Sequence, residues 1–385
     1  MLTKNINLKN LNFLRNNEKI KKDLKKLLSE NNQIIKSLGP KYKNNFNKSI
    51  INKIKKFKYI RLIGMGGSIL GTEAIHDFLK HKIKKNVFFY NNLNSKIGPN
   101  KTREKVLNVI VSKSGNTLET IVNTNILIKK KDHNIFLTEN KNNYLQALAH
   151  KLKSEVVHHN NFIGGRYSVL SEVGMLPAEL MGLSVNNFKQ INNLVKNNKF
   201  LKMLVSNVSS LLYLHKHKKF NSIILNYDQE SQNFLRWYQQ LVAESLGKKG
   251  HGILPIISSM PKDNHSLMQL YLDGPKNNFF TFFYSKIKRS TKINAKGILK
   301  SHNYLKNKSI DKIMYSQKNA TEAVFLKKKI PFRSFEIFNK NEKTLGELFS
   351  FFILETILIG RALKINPYDQ PSVELIKKET KKILI

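Results

Sequence analysis

The stretch LNVIVSKSGNTLET, residues 107–120, carries the pattern from which the fold can be predicted. An apolar run over residues 107–111 stops at a loop rich in hydroxyl groups, residues 112–117, and apolar residues at roughly helical spacing follow. This order predicts a strand, a turn and the start of a helix. The turn would present backbone N–H groups, hydroxyls and a lysine at the positive end of a helix dipole, which is the chemistry of a phosphate-binding loop.

Four side chains of this loop are candidates for contact with an anion. Ser112, Ser114 and Thr117 supply hydroxyl groups, and Lys113 supplies a positive charge. Serine and threonine are also common N-cap residues, so capping of the following helix is a second interpretation of the same pattern. The loop residues alone leave both interpretations open.

A second loop, GMGGSILG at residues 64–71, follows a short apolar strand over residues 59–63. It departs from the dinucleotide-binding fingerprint, because Ile69 stands at the sixth position of the glycine frame. It also lacks the Gly-Lys-Ser/Thr of a nucleotide P-loop, and Leu70 stands where a nucleophile elbow needs its last glycine. What remains is a tight turn with Ser68 near a helix N-terminus, which either contacts a ligand or is purely structural.

Strands and helices alternate along the chain, which predicts an α/β fold with doubly wound parallel sheets. The pattern divides into a helical N-terminal arm (1–55), a first α/β domain (56–184), a second α/β domain (185–345) and a C-terminal helical segment (346–385). Ligands of such sheets bind at the carboxyl ends of the strands, where both loops are expected to lie.

The formal net charge of +41, from 67 basic and 26 acidic residues, invites a nucleic-acid interpretation. The basic residues are nearly all lysines, however, and they are interleaved with asparagine along the whole chain rather than gathered with aromatic partners. We therefore expect a solvated basic surface and no nucleic-acid partner. Such a surface would still steer an anionic substrate toward its cleft.

The absence of cysteine excludes disulfides and thiolate metal sites. The histidines show no spacing typical of a metal site, so none is expected. No apolar run reaches the length of a membrane span, and we expect a cytoplasmic protein without a membrane partner.

Three further residues are candidates for chemistry. Arg166 follows a glycine pair, which permits close backbone approach, and its apolar neighbours favour partial burial. Glu244 is the only acid in an otherwise apolar and amide-rich helix end, where a desolvated carboxylate has a raised pKa and can act as a base. His265 lies in a loop before a helix and is a possible proton shuttle. The alternatives are a surface arginine, a solvated glutamate and an isolated histidine.

Five motifs together resemble the glucose-6-phosphate isomerase family, in the order in which that family has them. They are GMGGSILG, SKSGNTLET, GGRYSVLSEVGMLP, QLVAESLGKKG and NPYDQPSVELIKK, and they span residues 64–378. The resemblance implies two sugar-isomerase (SIS-like) domains. It also implies reversible isomerisation of glucose 6-phosphate and fructose 6-phosphate through an enediol, a step of glycolysis and gluconeogenesis, without a cofactor.

The resemblance implies a role for each matching position. The residues that would bind the substrate are Gly67, Ser68, Ser112, Lys113, Ser114, Thr117, Gln240 and Gln370. Arg166 would face the developing enediolate, and Glu244 would move the proton between C2 and C1. His265 would assist ring opening, and Lys377 would lie near the ring oxygen or the C1 hydroxyl. The histidine loop comes from the neighbouring subunit in this family, so a homodimer is implied.

The last motif departs from the family pattern, because Ser372 and Ile376 stand where the family commonly has glycine. Lys378 is therefore an adjacent candidate for the role of Lys377. Two other functions remain. One is a bifunctional phosphoglucose/phosphomannose isomerase, but the fourth and fifth motifs favour the glucose-6-phosphate isomerase family. The other is a non-catalytic sugar-phosphate-binding regulator, which would need the phosphate loop but not Glu244, His265 and Lys377 together.

Overall fold

The computed structural model describes residues 1–9, 11, 13, 17–96, 105–129, 132–287 and 290–385. The strands within these residues are β1 (Ile6–Lys9), β2 (Tyr59–Gly64), β3 (Asn86–Tyr90), β4 (Val106–Val111), β5 (His133–Glu139), β6 (Glu155–His159), β7 (Asn221–Asn226), β8 (Leu254–Ser259), β9 (Asn278–Ser285) and β10 (Phe332–Ile337). The α-helices are α1 (Glu18–Ser29), α2 (Gln33–Ser37), α3 (Lys48–Ile54), α4 (Leu70–Phe78), α5 (Leu118–Leu127), α6 (Tyr144–Lys151), α7 (Glu172–Leu180), α8 (Val185–Phe188), α9 (Ile191–Val195), α10 (Asn198–Lys216), α11 (Gln232–Leu246), α12 (Met268–Asp273), α13 (Ile310–Lys327), α14 (Glu342–Ala362) and α15 (Val373–Leu384).

The first sheet has the strand order β3-β2-β4-β5-β6, and all its pairs are parallel. Its central strands are near-continuous apolar runs, as expected for strands that are covered by helices on both faces. The doubly wound α/β fold predicted from the sequence is confirmed.

The crevice of this sheet lies between β2 and β4. The chain leaves β2 toward β3 on one side and leaves β4 toward β5 on the other, so the direction of winding reverses between these two neighbours. In open α/β sheets, ligands bind at such a reversal, beyond the carboxyl ends of the strands. The loops over residues 65–69 and 112–117 follow these two ends.

The second sheet has the order β1-β10-β9-β7-β8, in which only β1 is antiparallel to its neighbour. β1 belongs to the arm that was predicted to be helical, and this strand was missed. Only Ile6 and Leu8 alternate as buried residues in its four positions, which is too short a pattern to recognise among lysines and asparagines. From α1 onward the arm is helical, as predicted.

The helix α14 forms the centre of the molecule. Every residue from 344 through 360 is buried, so the helix is surrounded by other elements along almost its whole length. It packs against α8, α10 and α11, and its side chains join a hydrophobic core that also includes residues of α4. The long apolar helix predicted over residues 345–363 is therefore present. The predicted domain boundaries stay predictions.

The C-terminal helix α15 differs from α14, because none of its residues is buried. Among the helices that the structure describes, none combines the length and the apolar character needed to cross a bilayer.

Candidate active site

The glycine-rich loop after β2 brings three parts of the chain together. A Cβ atom on Gly67 would lie 2.4 Å from the carbonyl carbon of Gly165, so only glycine permits this contact with the loop that carries Arg166. At Gly66, where φ is +54°, a Cβ atom would lie 2.9 Å from the Gln240 side-chain nitrogen on α11. The tight turn predicted from the sequence thus faces two other candidate residues.

The loop after β4 is held in shape by its own side chains. The hydroxyl groups of Ser112 and Thr117 lie 2.9 Å apart and close the loop at its base. Gly115 has a φ of +66°, and a Cβ atom there would lie 1.8 Å from the side-chain oxygen of Asn143. Thr117 is the N-cap residue of α5 but makes no side-chain capping bond. The Thr117 hydroxyl therefore does not cap α5, which was the second interpretation of the sequence pattern.

The same loop exposes a set of unpaired backbone donors. The amide N–H groups of Lys113, Ser114 and residues 117–120 have no acceptor within the part of the chain that the structure describes. The last of them belong to the first turn of α5, where the helix dipole favours a negative charge. Several free N–H groups at a helix N-terminus form a site for an anion such as phosphate.

Lys113 contributes less charge to this cradle than predicted. Its ammonium group lies 3.1 Å from the carboxylate of Glu139 and donates a hydrogen bond of 3.0 Å to the carbonyl oxygen of Asn161. The side chain therefore braces the loop against its neighbours. Thr120, which the sequence analysis missed, is buried on the first turn of α5 and its hydroxyl has no hydrogen-bond partner among the described residues. A free buried hydroxyl next to the cradle makes Thr120 a further candidate.

Arg166 is 2% exposed and uses all five of its N–H donors. Its Nε donates to Ser245 Oγ at 2.7 Å. One Nη2 hydrogen goes to the carbonyl oxygen of Pro367 at 2.7 Å and the other to that of Asp369 at 3.0 Å. Its Nη1 donates to Gln370 Oε1 at 2.8 Å and to a carboxylate of α11. The predicted partial burial is exceeded, and the guanidinium binds two remote segments, the end of α11 and residues 367–370.

The carboxylate on α11 is that of Glu244, whose Oε2 accepts the remaining Arg166 hydrogen bond at 3.4 Å. Its Oε1 accepts from Gln240 Nε2, one turn earlier, at 2.8 Å. The side chain is 27% exposed, so it is neither fully buried nor a freely solvated helix residue. Glu244 is thus oriented by two donors while about a quarter of its side-chain surface stays exposed.

Three residues that the sequence analysis did not single out hold Arg166 in place. Trp237 Nε1 donates to the backbone carbonyl of Arg166 at 3.1 Å, and the Tyr167 hydroxyl contacts Ser245 Oγ at 2.8 Å and Pro367 O at 2.9 Å. Burial raises the pKa of Tyr167 to about 12, so the phenol remains a donor. Tyr167 and Ser245 lie inside the quoted motifs, but only the fold shows that they meet.

The loop over residues 366–370 is fastened to α11 by Lys248. Its ammonium group donates to the carbonyl oxygen and the carboxylate of Asp369, at 2.6 and 2.9 Å, and to the carbonyl oxygen of Asn366. The hydrogen bond and charge of Lys248 lower the pKa of Asp369. The same loop carries Gln370, whose Oε1 accepts from Arg166.

Two of the predicted residues have no described hydrogen bond to the others. His265 is exposed, in the short 3-10 helix Lys262–His265, and none of the described hydrogen bonds joins it to the residues above. Lys377 lies on α15, where its side chain is 61% exposed and pairs with Glu374 at 2.6 Å. Within one chain, the structure thus assembles the cradle, the arginine and the carboxylate, but not the histidine or this lysine.

The fold and the site define an α/β protein of the sugar-isomerase type, with two sheets, an anion cradle at the crevice of the first sheet and a carboxylate paired with a buried arginine. Two solved structures have the same fold: a hypothetical protein from Thermus thermophilus (TM-score 0.79, 22% identity, 95% of this chain and 94% of that chain) and a glucose-6-phosphate isomerase from Chlamydia trachomatis (TM-score 0.70, 19% identity, 91% and 73%). The chain belongs to the phosphoglucose isomerase family, whose model matches residues 12–385.

Relatives at the sequence level agree with this assignment. A glucose-6-phosphate isomerase from Methanocaldococcus jannaschii is 33% identical over 84% of this chain and 83% of its own length. Another from Mycoplasmopsis pulmonis is 32% identical over 88% of both chains. The similarity therefore covers more than four fifths of each protein.

Proposed function

We propose that the protein interconverts glucose 6-phosphate and fructose 6-phosphate, with Glu244 as the base. The observation that carries this proposal is the pair formed by Glu244 and Arg166. A carboxylate that is held by two donors and still partly exposed is suited to take a proton from carbon. The buried guanidinium beside it is suited to stabilise the negative charge that this transfer creates.

In the aldose-to-ketose direction, Glu244 takes the proton from C2 of the open-chain sugar. The C2–H electron pair forms the C1–C2 double bond, and the C1 carbonyl oxygen gains the negative charge of an enediolate. The C2 hydroxyl then passes its proton to the C1 oxygen, and as the C2 oxygen forms the carbonyl, the C1–C2 double-bond pair takes the first proton back from Glu244 at C1. All five donors of Arg166 are occupied, and its bond to Glu244 is the longest, at 3.4 Å, so this donor is the one that the enediolate would take.

The loop at residues 112–117 would hold the phosphate. Its free N–H groups and the hydroxyls of Ser114 and Thr117 supply donors, and binding energy gained there positions C1 and C2 under Glu244. Gly67 and Ser68, in the neighbouring turn, and the amides of Gln240 and Gln370 would contact the sugar.

Ring opening is assigned to His265, and Lys377 is assigned to the ring oxygen or the C1 hydroxyl. Both assignments rest on the matching motifs. His265 is exposed and no described hydrogen bond joins it to Glu244, which supports the proposal that it serves the site of a second subunit in a homodimer. A cytoplasmic location is part of the same proposal.

The test is a coupled assay in which purified protein receives fructose 6-phosphate and glucose 6-phosphate is detected. We expect turnover by the wild type. Turnover of mannose 6-phosphate in the same assay would instead indicate the bifunctional enzyme. Binding of fructose 6-phosphate in calorimetry without turnover would indicate a non-catalytic regulator, and the proposed activity would then be wrong.

A further inference from the structure

Three ionisable side chains are buried together beneath the segment that carries Arg166. They are His159 at the end of β6, Glu172 at the start of α7, and Lys189 after α8, with 2%, 0% and 5% of their surface exposed. None of them is among the residues proposed to bind or act on the substrate. Burying such groups costs more free energy than burying apolar residues of similar volume, so packing alone does not explain them.

His159 holds the beginning of this segment. Its Nε2 lies 2.8 Å from the carbonyl oxygen of Ile163, and because a carbonyl can only accept, this nitrogen carries a hydrogen. Its Nδ1 faces the Glu172 carboxylate at 3.7 Å. The imidazole therefore links the carboxylate to the residue that directly precedes the glycine pair.

Glu172 is the anchor of this cluster. Its Oε1 accepts from the hydroxyl of Tyr42 at 2.8 Å and from the backbone N–H of Asn45 at 3.2 Å. Burial alone would raise the pKa of Glu172, but the nearby His159 and the hydrogen bonds from the backbone and Tyr42 outweigh it and lower the pKa. An ionised carboxylate is thereby fixed between the N-terminal arm and β6.

Lys189 holds the end of the segment. Its ammonium nitrogen donates to the carbonyl oxygen of Leu170 and, at 2.7 Å, to that of Ser37. Burial, partly offset by Glu172, lowers the pKa of Lys189 to about 7. The neutral amine retains two N–H groups, so both carbonyls have a donor in either protonation state.

The segment between these two contacts needs such support. It contains Gly164 and Gly165, the residues with the greatest backbone freedom, and Gly67 packs directly against it. A small shift there would move all five hydrogen bonds of Arg166 and its distance to Glu244.

We propose that His159, Glu172 and Lys189 are positioning residues that clamp both ends of residues 163–170 and so hold Arg166 in register with Glu244. This inference rests on the proposed isomerase function, because Arg166 acts there on the enediolate. Loss of a clamp residue should therefore lower kcat more than it raises KM, because the loop proposed to bind the phosphate is a different one.

The test compares Lys189→Met with Lys318→Met. Lys318 is also fully buried, but it pairs with Glu336 and Glu322 at the second sheet. Each variant is assayed at a temperature well below its own Tm. We expect Lys189→Met to lower kcat about 30- to 100-fold with KM changed less than about threefold, and Lys318→Met to lower kcat less than about twofold. Equal kcat values for the two variants would overturn the proposal.

A second variant and a second readout keep the outcome clear. Glu172→Gln preserves the shape of the side chain and the acceptor for Tyr42, and it should also lower kcat. It therefore replaces Lys189→Met in the test if that variant does not fold. Hydrogen exchange of the amides of residues 164–170 should be at least about tenfold faster in either clamp variant than in Lys318→Met. This measurement does not need activity. If the wild type proves inactive, the proposed function fails, whereas unchanged exchange would refute the clamp itself.

Discussion

The Nη1 of Arg166 lies 3.4 Å from Glu244 Oε2, and this is the longest of the five hydrogen bonds that the guanidinium makes. The other four are shorter, at 2.7 to 3.0 Å, and they bind Ser245, Gln370 and the carbonyl oxygens of residues 367 and 369. The contact with Glu244 is therefore the one that can be exchanged for a substrate oxygen at the smallest cost. Before the substrate binds, the proposed base Glu244 and the proposed stabilising cation Arg166 are thus hydrogen-bonded to each other.

Replacement of the base should abolish turnover without preventing binding. In Glu244→Gln the amide oxygen still accepts from Arg166 or Gln240, so the pocket keeps its shape, but the side chain no longer takes a proton. We expect kcat to fall about 10³-fold with KM within about threefold of the wild type, in steady-state kinetics with fructose 6-phosphate. Glu155→Gln, at an exposed residue that pairs with Lys53, is the control and should be neutral. Undiminished turnover in Glu244→Gln would refute the assigned base.

The phosphate loop should show the opposite kinetic pattern. Ser114→Ala combined with Thr117→Val removes two hydroxyl donors, and the second change also removes the contact with Ser112 that closes the loop. We expect KM to rise about 10- to 100-fold and kcat to fall less than about fivefold, because the variant can no longer donate these two hydrogen bonds to the charged phosphate of the substrate. Ser316→Ala, on α13, is the control. An unchanged KM in the double variant would contradict the cradle.

How far the sequence could predict this site depends on where each partner lies along the chain. The loop after β4 was recognisable because its strand, its hydroxyls and its helix are contiguous. The sequence did not show that Thr117 bonds to Ser112 instead of capping α5, or that Lys113 pairs with Glu139, because both choices depend on the three-dimensional path of the loop. Propensity alone favours capping, and tertiary geometry decided otherwise.

The hydrogen-bond partners of Arg166 could not be predicted from the sequence, for a different reason. Its acceptors near residue 367 lie about two hundred positions away in the sequence, and two of them are backbone carbonyls, which carry no residue-specific signal. The same holds for β1, which pairs residues 6–9 with residues 334–337 of β10, far away in the sequence. Local patterns thus predicted the elements and the candidate residues, but not the contacts that orient them.

The assignment to Lys377 can be tested against its neighbour. Both Lys377 and Lys378 lie on α15, and the side chain of Lys377 pairs with Glu374 on the same helix. If the motif places the role correctly, Lys377→Ala should lower kcat at least about tenfold and Lys378→Ala less than about twofold. The reverse result in the isomerase assay would transfer the role to Lys378. Neutral results for both would show that neither lysine acts in the reaction.

Glu73 should make stability depend on pH. Burial, together with the neighbouring Asp77, raises the pKa of Glu73 to about 7, against the influence of Arg236 and a hydrogen bond from Asn91. Because the folded state binds this proton more tightly than the unfolded state, the stability that it contributes is present below about pH 4.5 and is lost as the pH rises through 7. Glu73→Gln does not titrate and retains the acceptor for Asn91. The free energy of unfolding of Glu73→Gln, relative to that of the wild type, should therefore rise by about 3 kcal/mol between pH 4.5 and pH 8.

Urea unfolding of both proteins at the two pH values measures this difference directly. Glu18→Gln, at an exposed residue of α1 that pairs with Lys21, is the matched control and should follow the wild type at both pH values. A stability difference between Glu73→Gln and the wild type that stays the same at pH 4.5 and pH 8 would contradict the prediction.

Sharing of sites between subunits should be visible in mixed oligomers. Neither His265→Ala nor Glu244→Gln alone has a complete site, but a hybrid dimer combines the intact Glu244 of one chain with the intact His265 of the other. Random exchange should then restore about a quarter of the wild-type activity, since half of the dimers are hybrids and each has one complete site. The control replaces His265→Ala with the double variant, which offers no intact Glu244 and should restore nothing. Hybrids that form in native mass spectrometry but remain inactive would show that His265 does not serve the partner's site.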